Sequence, residues 1–478
     1  MTDRGGFSNL AQGGQSGGMS CLQFPLKKKV EAAIVATGWV SGINDDASRN
    51  INLTVYGARD LSFCEDTDYI YGGYIKTSPG GYGAGADMVL FKIAKIDGTI
   101  SEAVYSGAIA ASNLTGSCGR LAIYGDWIYS YWIVGVIGIG LSFGSPFILR
   151  HNKADLSFDT TFKGATDKGA LVANAEPLYS MIYHCGLAQR GDYAYGYDVG
   201  CRFLKYNMAT GALTYQRDMR GTILAYSIAQ MLVDSAGAYL YAVGSDSNDT
   251  EILKANEADG TYVAASRLTM TGKTAVVATS IIEKPDGNLI VAGRATAAGP
   301  VYKGFVAEIT ANLAAVALCK ENAAGAPASV VYSLGTVGFC LYGYNGADNI
   351  YTVYDWSWNV LKRFKSSLPI PRAMQHDPAT DTLRWLTAGL VLGKAGTPLL
   401  IYAHIDKFMS LTGKIETPDT TVYLESVSVA EFLTDVVGPG FTTGIGSAAS
   451  TALSESVASI KTFGDLATMV DYATAEIK

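Results

Sequence analysis

The chain has 478 residues, a net charge of −7, and 17% charged against 49% hydrophobic side chains. Its mild acidity argues against nucleic acid, which needs a concentrated basic surface, and its low charge, under the ~25% usual for soluble domains, describes a well-buried chain. The 54 Gly, 29 Tyr and 16 Phe favour strands and tight turns over helices.

Residues 1–57 open with the Gly/Gln/Ser-rich "MTDRGGFSNLAQGGQSGG", pass Lys27-Lys28-Lys29, and then show strand-like "EAAIVATGWV" and "NINLTVYG". No apolar core follows a basic start, so the segment does not read as a signal peptide, which implies synthesis in a cytoplasm. A Gly-rich arm lacks the apolar surface to order itself. Residues 1–30 are therefore expected to lie against another polypeptide, and the strand-like remainder either completes the following fold or forms a separate platform.

From residue 58 onward one hairpin recurs. "KIAKIDGTI" runs an alternating strand into Asp97-Gly98 and starts a second strand at once. Its equivalents turn at Asp155-Leu156, Thr210-Gly211, Asp259-Gly260, Asn312-Leu313 and Trp358-Asn359, and in a longer turn ending at Gly413. That makes seven units at a spacing of roughly 47 to 57 residues. About 25 residues upstream of each turn stands a second hairpin with an aromatic-rich strand: Asp68-Tyr69-Ile70-Tyr71-Gly72, Asp126-Trp127-Ile128-Tyr129, Asp192-Tyr193-Ala194-Tyr195-Gly196, "GAYLYAVG", "DGNLIVAG", "GFCLYG" and "TLRWLTAG". Each unit thus reads as four strands. A four-stranded sheet cannot bury both faces alone, and stacking such sheets around an axis buries both.

On these two signatures, recurring in phase over residues 58–416, the chain resembles the seven-bladed β-propeller repeat proteins. The resemblance implies an all-β ring of four-stranded antiparallel blades, with residues 1–57 as an N-terminal arm. It implies no function, because propellers host binding, scaffolding and catalysis alike. Residues 417–478 change character: a strand-like "TTVYLESVSV", a Gly-punctuated linker, then Leu453, Val457 and Ile460 followed by Leu466, Met469, Val470 and Ala473 at helical spacing. Two short amphipathic helices are expected there, packed on the ring or docked on a partner through residues 451–478.

The motifs that suggest chemistry have plainer readings. Gly140-Leu141-Ser142-Phe143-Gly144 and Gly14-Gln15-Ser16-Gly17-Gly18 match G-x-S-x-G, but neither has the strand-then-helix context of a nucleophile elbow. His151, His184, His376 and His404 form no ligand pair. Asp246-Ser247-Asn248-Asp249 and Asn44-Asp45-Asp46 lack calcium-loop spacing. Arg190-Gly191-Asp192 falls in a hairpin turn, and turn chemistry accounts for it. Cys21, Cys64, Cys118, Cys185, Cys201, Cys319 and Cys340 are scattered, as buried thiols are, without a disulfide framework. The sequons at Asn52, Asn113 and Asn248 are bystanders without secretion. The apolar stretch Trp132–Leu149 carries four glycines and Pro146, so two strands joined by a Gly-rich loop explain it better than a membrane span. No cofactor or metal motif appears.

What remains is the face that gathers the connections between second and third strands. These differ sharply: Ile75–Ala86, Val134–Ser145, Arg294–Lys303 and Leu390–Thr397 are long, while Tyr197–Gly200 is short. Uneven loops on a rigid ring are where recognition usually lives. The tentative binding residues are Tyr74, Tyr82, Phe143, Tyr302 and Tyr344, aromatic side chains able to stack on a sugar or pack on a protein. The leading expectation is a non-enzymatic structural or attachment component of a large, oligomeric assembly. Its layout is similar in character to phage virion proteins (fibre, adaptor or decoration), with no family motif behind the likeness. A lectin-like propeller binding a surface glycan is the second reading. A propeller glycosidase or lyase is the third, drawing on Asp87, Asp246, Asp249, Glu251 and Asp348.

Overall fold

The computed structural model describes residues 38–44, most of 63–445, and the pairs 451–452 and 469–470; within 63–445 the main stretches left out are 78–85, 110–113, 160–184, 220–226, 323–328, 390–398 and 411–423. The strands form seven antiparallel sheets that follow one another along the chain. The molecule is a seven-bladed β-propeller, and among the described residues the one helical turn is Gly335–Val337. Blade 1 opens at Cys64–Glu65, and Leu399–Ile405 is the third strand of blade 7. The N-terminal strand Gly38–Asn44 pairs antiparallel with Leu399–Ile405, from Gly38 opposite Ile405 to Asn44 opposite Leu399. The first described strand of the chain thus completes the last blade and closes the ring.

In blades 1, 3, 4, 5 and 6 the recurring turns sit where the sequence puts them, between third and fourth strands; in blades 2 and 7 the turn follows the third strand, and the fourth strand of blade 7 is Gly38–Asn44. Each is closed by one left-handed residue: Gly98, Gly211 and Gly260 at φ 78°, 72° and 69°, but also Leu156, Leu313 and Trp358 at φ 61°, 56° and 67°. The amide of that residue donates back across the turn, Gly260 N to Asn256 O at 2.9 Å and Leu313 N to Thr310 O at 2.8 Å. In blade 7 the turn spans residues 406–410 with Lys407 left-handed, earlier than the expected end at Gly413, which lies outside the described residues.

The aromatic second strands build the seams between blades. Tyr71, Tyr129, Tyr195 and Trp385 are among the largest fully buried side chains. Gly72 sits opposite Phe91, and a Cβ on it would lie 2.1 Å from the Phe91 ring, so the glycine makes room for a cross-strand aromatic.

Blades 1 to 4 share one device at the end of the ring that carries the third–fourth turns, here the lower face. A third-strand cation lies over the first aromatic of the second strand: Lys92 over Tyr69, Arg150 over Trp127, Lys205 over Tyr193 and Lys254 over Tyr239, at 4.9, 4.4, 4.1 and 3.8 Å. The buried Tyr two residues further on, or the cation itself, then reaches the next blade's turn. Tyr129 donates to Met208 O at 2.6 Å, and Tyr241 and Lys254 donate to Ala311 O at 2.8 and 3.1 Å. Tyr195 and Lys205 both bond Glu257, and Lys92 bonds Ala154 O. Later seams keep the bond and change the residues. Trp358 donates to Glu308 at 2.7 Å, Lys362 to Phe408 O, and Arg384 pairs with Glu65 where blade 7 meets blade 1.

The C-terminal extension is a belt. Leu424–Ser426 adds a fifth strand to blade 6, Leu433–Asp435 to blade 5, Gly440–Thr443 to blade 4, Thr451–Ala452 to blade 3 and Met469–Val470 to blade 1. It runs backward around the rim, and each contact covers only part of the blade's outer strand. Apolar belt residues enter the seams as they pass: Leu433 joins a core shared by blades 5 and 6, Val436 and Phe441 pack on that of blades 4 and 5, and Ile445 on that of blades 3 and 4. One expectation changes here. Met469 and Val470, assigned to an amphipathic helix, form a strand, because an open sheet edge offers backbone partners that local periodicity does not register. Of the two placements expected for 451–478, on the ring or on a partner, the described pairs 451–452 and 469–470 take the first. Residues 1–30 lie outside the described residues.

Where the belt leaves the outer strands of blades 3 to 6 uncovered, each carries a β-bulge at the same place. Thr214, Val263, Ala317 and Leu361 are the extra residues. Val263 and Leu361 are 40% and 47% exposed for that reason.

Replacing Leu433 by Ala should cost about 2 kcal/mol in urea unfolding, the low end for a buried leucine, while exposed Thr434→Ala should leave the midpoint unchanged. Tyr195→Phe should cost about 1 kcal/mol through the lost bond to Glu257; an unchanged midpoint would show that this seam does not depend on the hydroxyl.

Candidate functional site

Lower-face polar groups are engaged in seams, which leaves the upper face, where second and third strands meet, as the candidate surface. The hairpins there differ in height. In blade 2, Trp127–Gly138 and Leu141–Asn152 stay in register to Gly138 opposite Leu141. The stretch Val134–Ser145, expected as a Gly-rich loop, is thus mostly paired strand; Gly135 faces Gly144, and the flanking Val and Ile residues favour extended backbone. Ser142 stands opposite Ile137 inside this ribbon, so the G-x-S-x-G match has no helix after it. Blade 3 has six-residue strands at the same place, Tyr193–Asp198 and Arg202–Asn207.

The predicted binding aromatics fall on this face but in separate blades. Tyr74 is opposite Val89 in blade 1, and Phe143 opposite Val136 in blade 2. Tyr302 is opposite Thr296 in blade 5, and Tyr344 opposite Asn349 in blade 6. Tyr82 lies outside the described residues. They mark a face rather than one pocket. Of the acids weighed for catalysis, Glu251 is 1% exposed and bound to Arg267 at 2.7 Å, and Arg267 also holds Asp249 at 3.6 Å. Asp246 stands opposite Asp249 across the hairpin end, and Asp87 opposite Lys76.

Blade 5 holds a polar grouping with an exposed cation on this face. Tyr302 is 46% exposed, and the guanidinium of exposed Arg294 lies 5.4 Å from its ring centre. Nearby, Lys273 and Lys303 share Glu321 at 2.6 and 2.8 Å. Burial alone would raise the Glu321 carboxyl, but the bonds from Lys273 and Lys303 outweigh it and hold it below the usual range. Arg294 is neither an aromatic nor an acid and stands outside the residues expected from the sequence. The signal was present: the residue after the second-strand Gly is Gly73, Tyr197, Ser245, Arg294 and Tyr344 in blades 1, 3, 4, 5 and 6, so blade 5 places a cation there.

The histidines are structural where they are described. His151 is fully buried and bonded to Ser130 at 2.8 Å, His376 meets Asp381 at 3.1 Å, and His404 meets Asp406 at 3.2 Å. Among the described residues no three His, Cys, Asp or Glu side chains gather as a cation site requires. Described Cys64, Cys319 and Cys340 are free thiols, and burial pushes Cys319 up to about 12. Arg190 of the RGD triplet donates to Ser235 O of the next blade at 3.1 Å, with Gly191 left-handed at φ 54°, so the triplet serves a turn and a seam. No described helix is long and apolar enough to cross a membrane.

No family model matches the chain, and no curated protein matches it. Among solved structures it is similar to a chain in the crystal structure of the mitotic checkpoint complex, at TM-score 0.43 and 7% identity over 77% of this chain and 92% of that one. It is likewise similar to the WD40 domain of Toxoplasma gondii coronin, at TM-score 0.43 and 10% identity over 78% and 86%. The seven-bladed architecture described above stands on this chain's own strand pairing.

Burial pushes His151 down to about 3, so the folded chain keeps it neutral. The unfolded chain protonates it near pH 6.5. Between those values the unfolded state binds more protons, so stability should fall as pH drops below about 6.5, by up to ~1.4 kcal/mol per unit from this group. Urea midpoints measured from pH 7 to pH 5 should show a shallower slope in His151→Asn than in the parent; equal slopes would remove His151 as the cause.

Proposed function

We propose that this chain is a non-enzymatic interaction scaffold, a ring-shaped component of a larger protein assembly. The observation that carries the reading is the contrast between the two faces. The lower face joins blade to blade through Tyr129, Tyr195, Lys254, Trp358 and Arg384. The upper face raises hairpins of unequal height, the tallest paired to Gly138 and Leu141. Fixed strands presenting uneven edges suit recognition of a shaped protein surface. Covalent or acid–base work would instead draw on a positioned pair within reach of one substrate atom, and Glu251 is committed to Arg267. The form of assembly favoured by the layout is a virion, with the chain as fibre, adaptor or decoration protein made in the host cytoplasm.

Class averages of the native particle that contains the chain should resolve seven-lobed rings at symmetry-related positions. A chain that sediments alone from its native extract would sink the scaffold reading. Depolymerisation of a polysaccharide by the purified chain, abolished in Glu251→Gln or Asp249→Asn, would replace it with the enzymatic one.

A further inference from the structure

We propose that the upper end of the seam between blades 5 and 6 is a binding site for an acidic peptide segment of a partner protein, with Arg294 as the carboxylate-binding group and Tyr302 as its flat support. The inference rests on the reading of the upper face as an interaction surface and adds the chemistry of what it takes.

Arg294 and Tyr302 occupy neighbouring strands of blade 5 and share one face of the sheet. Arg294 is opposite Gly304, and Thr296 is opposite Tyr302. The guanidinium sits 5.4 Å from the ring centre, which holds its plane without using its N–H fork. Among the described residues no carboxylate pairs with Arg294. A planar, stacked and exposed guanidinium presents parallel donors, the geometry that matches a carboxylate bidentately.

The floor of the site belongs to the next blade. A Cβ on Gly304 would lie 2.2 Å from Ser329 Oγ, so the glycine lets blade 6 close directly beside the Arg294 strand. Ser329 donates its amide to Gly293 O at 2.8 Å. It is 1% exposed, and its hydroxyl oxygen has no partner among the described residues. That hydroxyl is packed against Gly304, the residue opposite Arg294, so it belongs to the floor of the site and is not itself exposed to a ligand.

Charge supports the same ligand. On the other face of the sheet end, Lys273 and Lys303 share a single carboxylate, Glu321. With Arg294 that makes three cations against one anion at the top of blade 5, in a chain whose net charge is −7. The local field attracts an anion that most of the molecule would repel. On the same face Thr296 and Gly304 adjoin the pair and offer a single side-chain hydroxyl, which suits a peptide carboxylate more than a glycan needing many hydroxyl partners.

The test is fluorescence anisotropy with a labelled peptide alternating Glu and Gly, its Gln counterpart, and labelled polygalacturonate as an anionic glycan. The Glu peptide should bind, weaken with added salt, and lose about tenfold in affinity in Arg294→Met, with Arg294→Lys recovering only part because a point charge replaces the fork. Tyr302→Ala should weaken it too, at an unchanged urea midpoint. The Gln peptide and polygalacturonate should not bind. Absence of Glu-peptide binding, or equal binding by Arg294→Met, would overturn the proposal, as would Arg294-dependent binding of polygalacturonate in place of the peptide. Because the class averages of the native particle test the scaffold reading without any peptide, the two can fail separately.

Discussion

Everything in this ring depends on closing seven seams with side chains that each sheet supplies to its neighbour. A blade is a small sheet with two apolar faces, and it gains burial only if the next blade stays in place. Apolar contact alone is non-directional. The directional part comes from a tyrosine hydroxyl or a lysine reaching the adjoining turn, as Tyr241 and Lys254 do at Ala311, or from a turn tryptophan reaching back to a strand carboxylate, as Trp358 does at Glu308. The inner strands add their own latches. Gln189 both donates to and accepts from the backbone of Ile123, and Gln230 and Ser280 accept from Ile281 N and Val331 N. Each is a local bond between consecutive blades, so the ring is specified one neighbour at a time.

A ring solves the burial of faces but leaves a circle of outer edges. These edges are treated in two ways on one strand. The belt pairs with part of the strand, as Gly440–Thr443 does with Ser266–Thr269. The bulge at Val263 breaks the ladder on the remainder, and an edge that is bent cannot accept a flat foreign strand. The exposed Val263 and Leu361 are therefore consequences of edge protection, and no docking partner is required to explain them.

The parts of this fold that were legible in the sequence are those whose cause is local. Asp97-Gly98 and Asp259-Gly260 announce turns through the backbone freedom of glycine, and Tyr69-Ile70-Tyr71 and Tyr193-Ala194-Tyr195 announce buried strands through composition and alternation. Leu313 and Trp358 were legible only by phase with the other copies, since neither residue type favours a left-handed backbone. The belt was hidden because strands of two to four residues have no period to read, and their partners lie far away in the chain; Leu433 pairs with Asn322. Spacing in 453–473 suggested a helix for want of any tertiary signal. The upper face was legible as a face, from unequal connections, while its polar grouping was not. Ser329 reaches the Arg294 strand only when blade 6 closes on blade 5.

This distribution of causes bears on where the chain can interact. Substitutions at the seams change stability, because Tyr195 and Glu257 serve two blades at once. Substitutions on the rim disturb the edges. The upper hairpins differ from blade to blade, as Gly73, Tyr197, Ser245, Arg294 and Tyr344 do at one structural position. Blade 3 turns that position inward, where Tyr197 joins the core shared with blade 4, while blade 5 turns it outward and exposes Arg294. A repeated scaffold that varies one position from buried to exposed can present a chosen side chain in a chosen blade, and that is the physical basis for assigning recognition to this face.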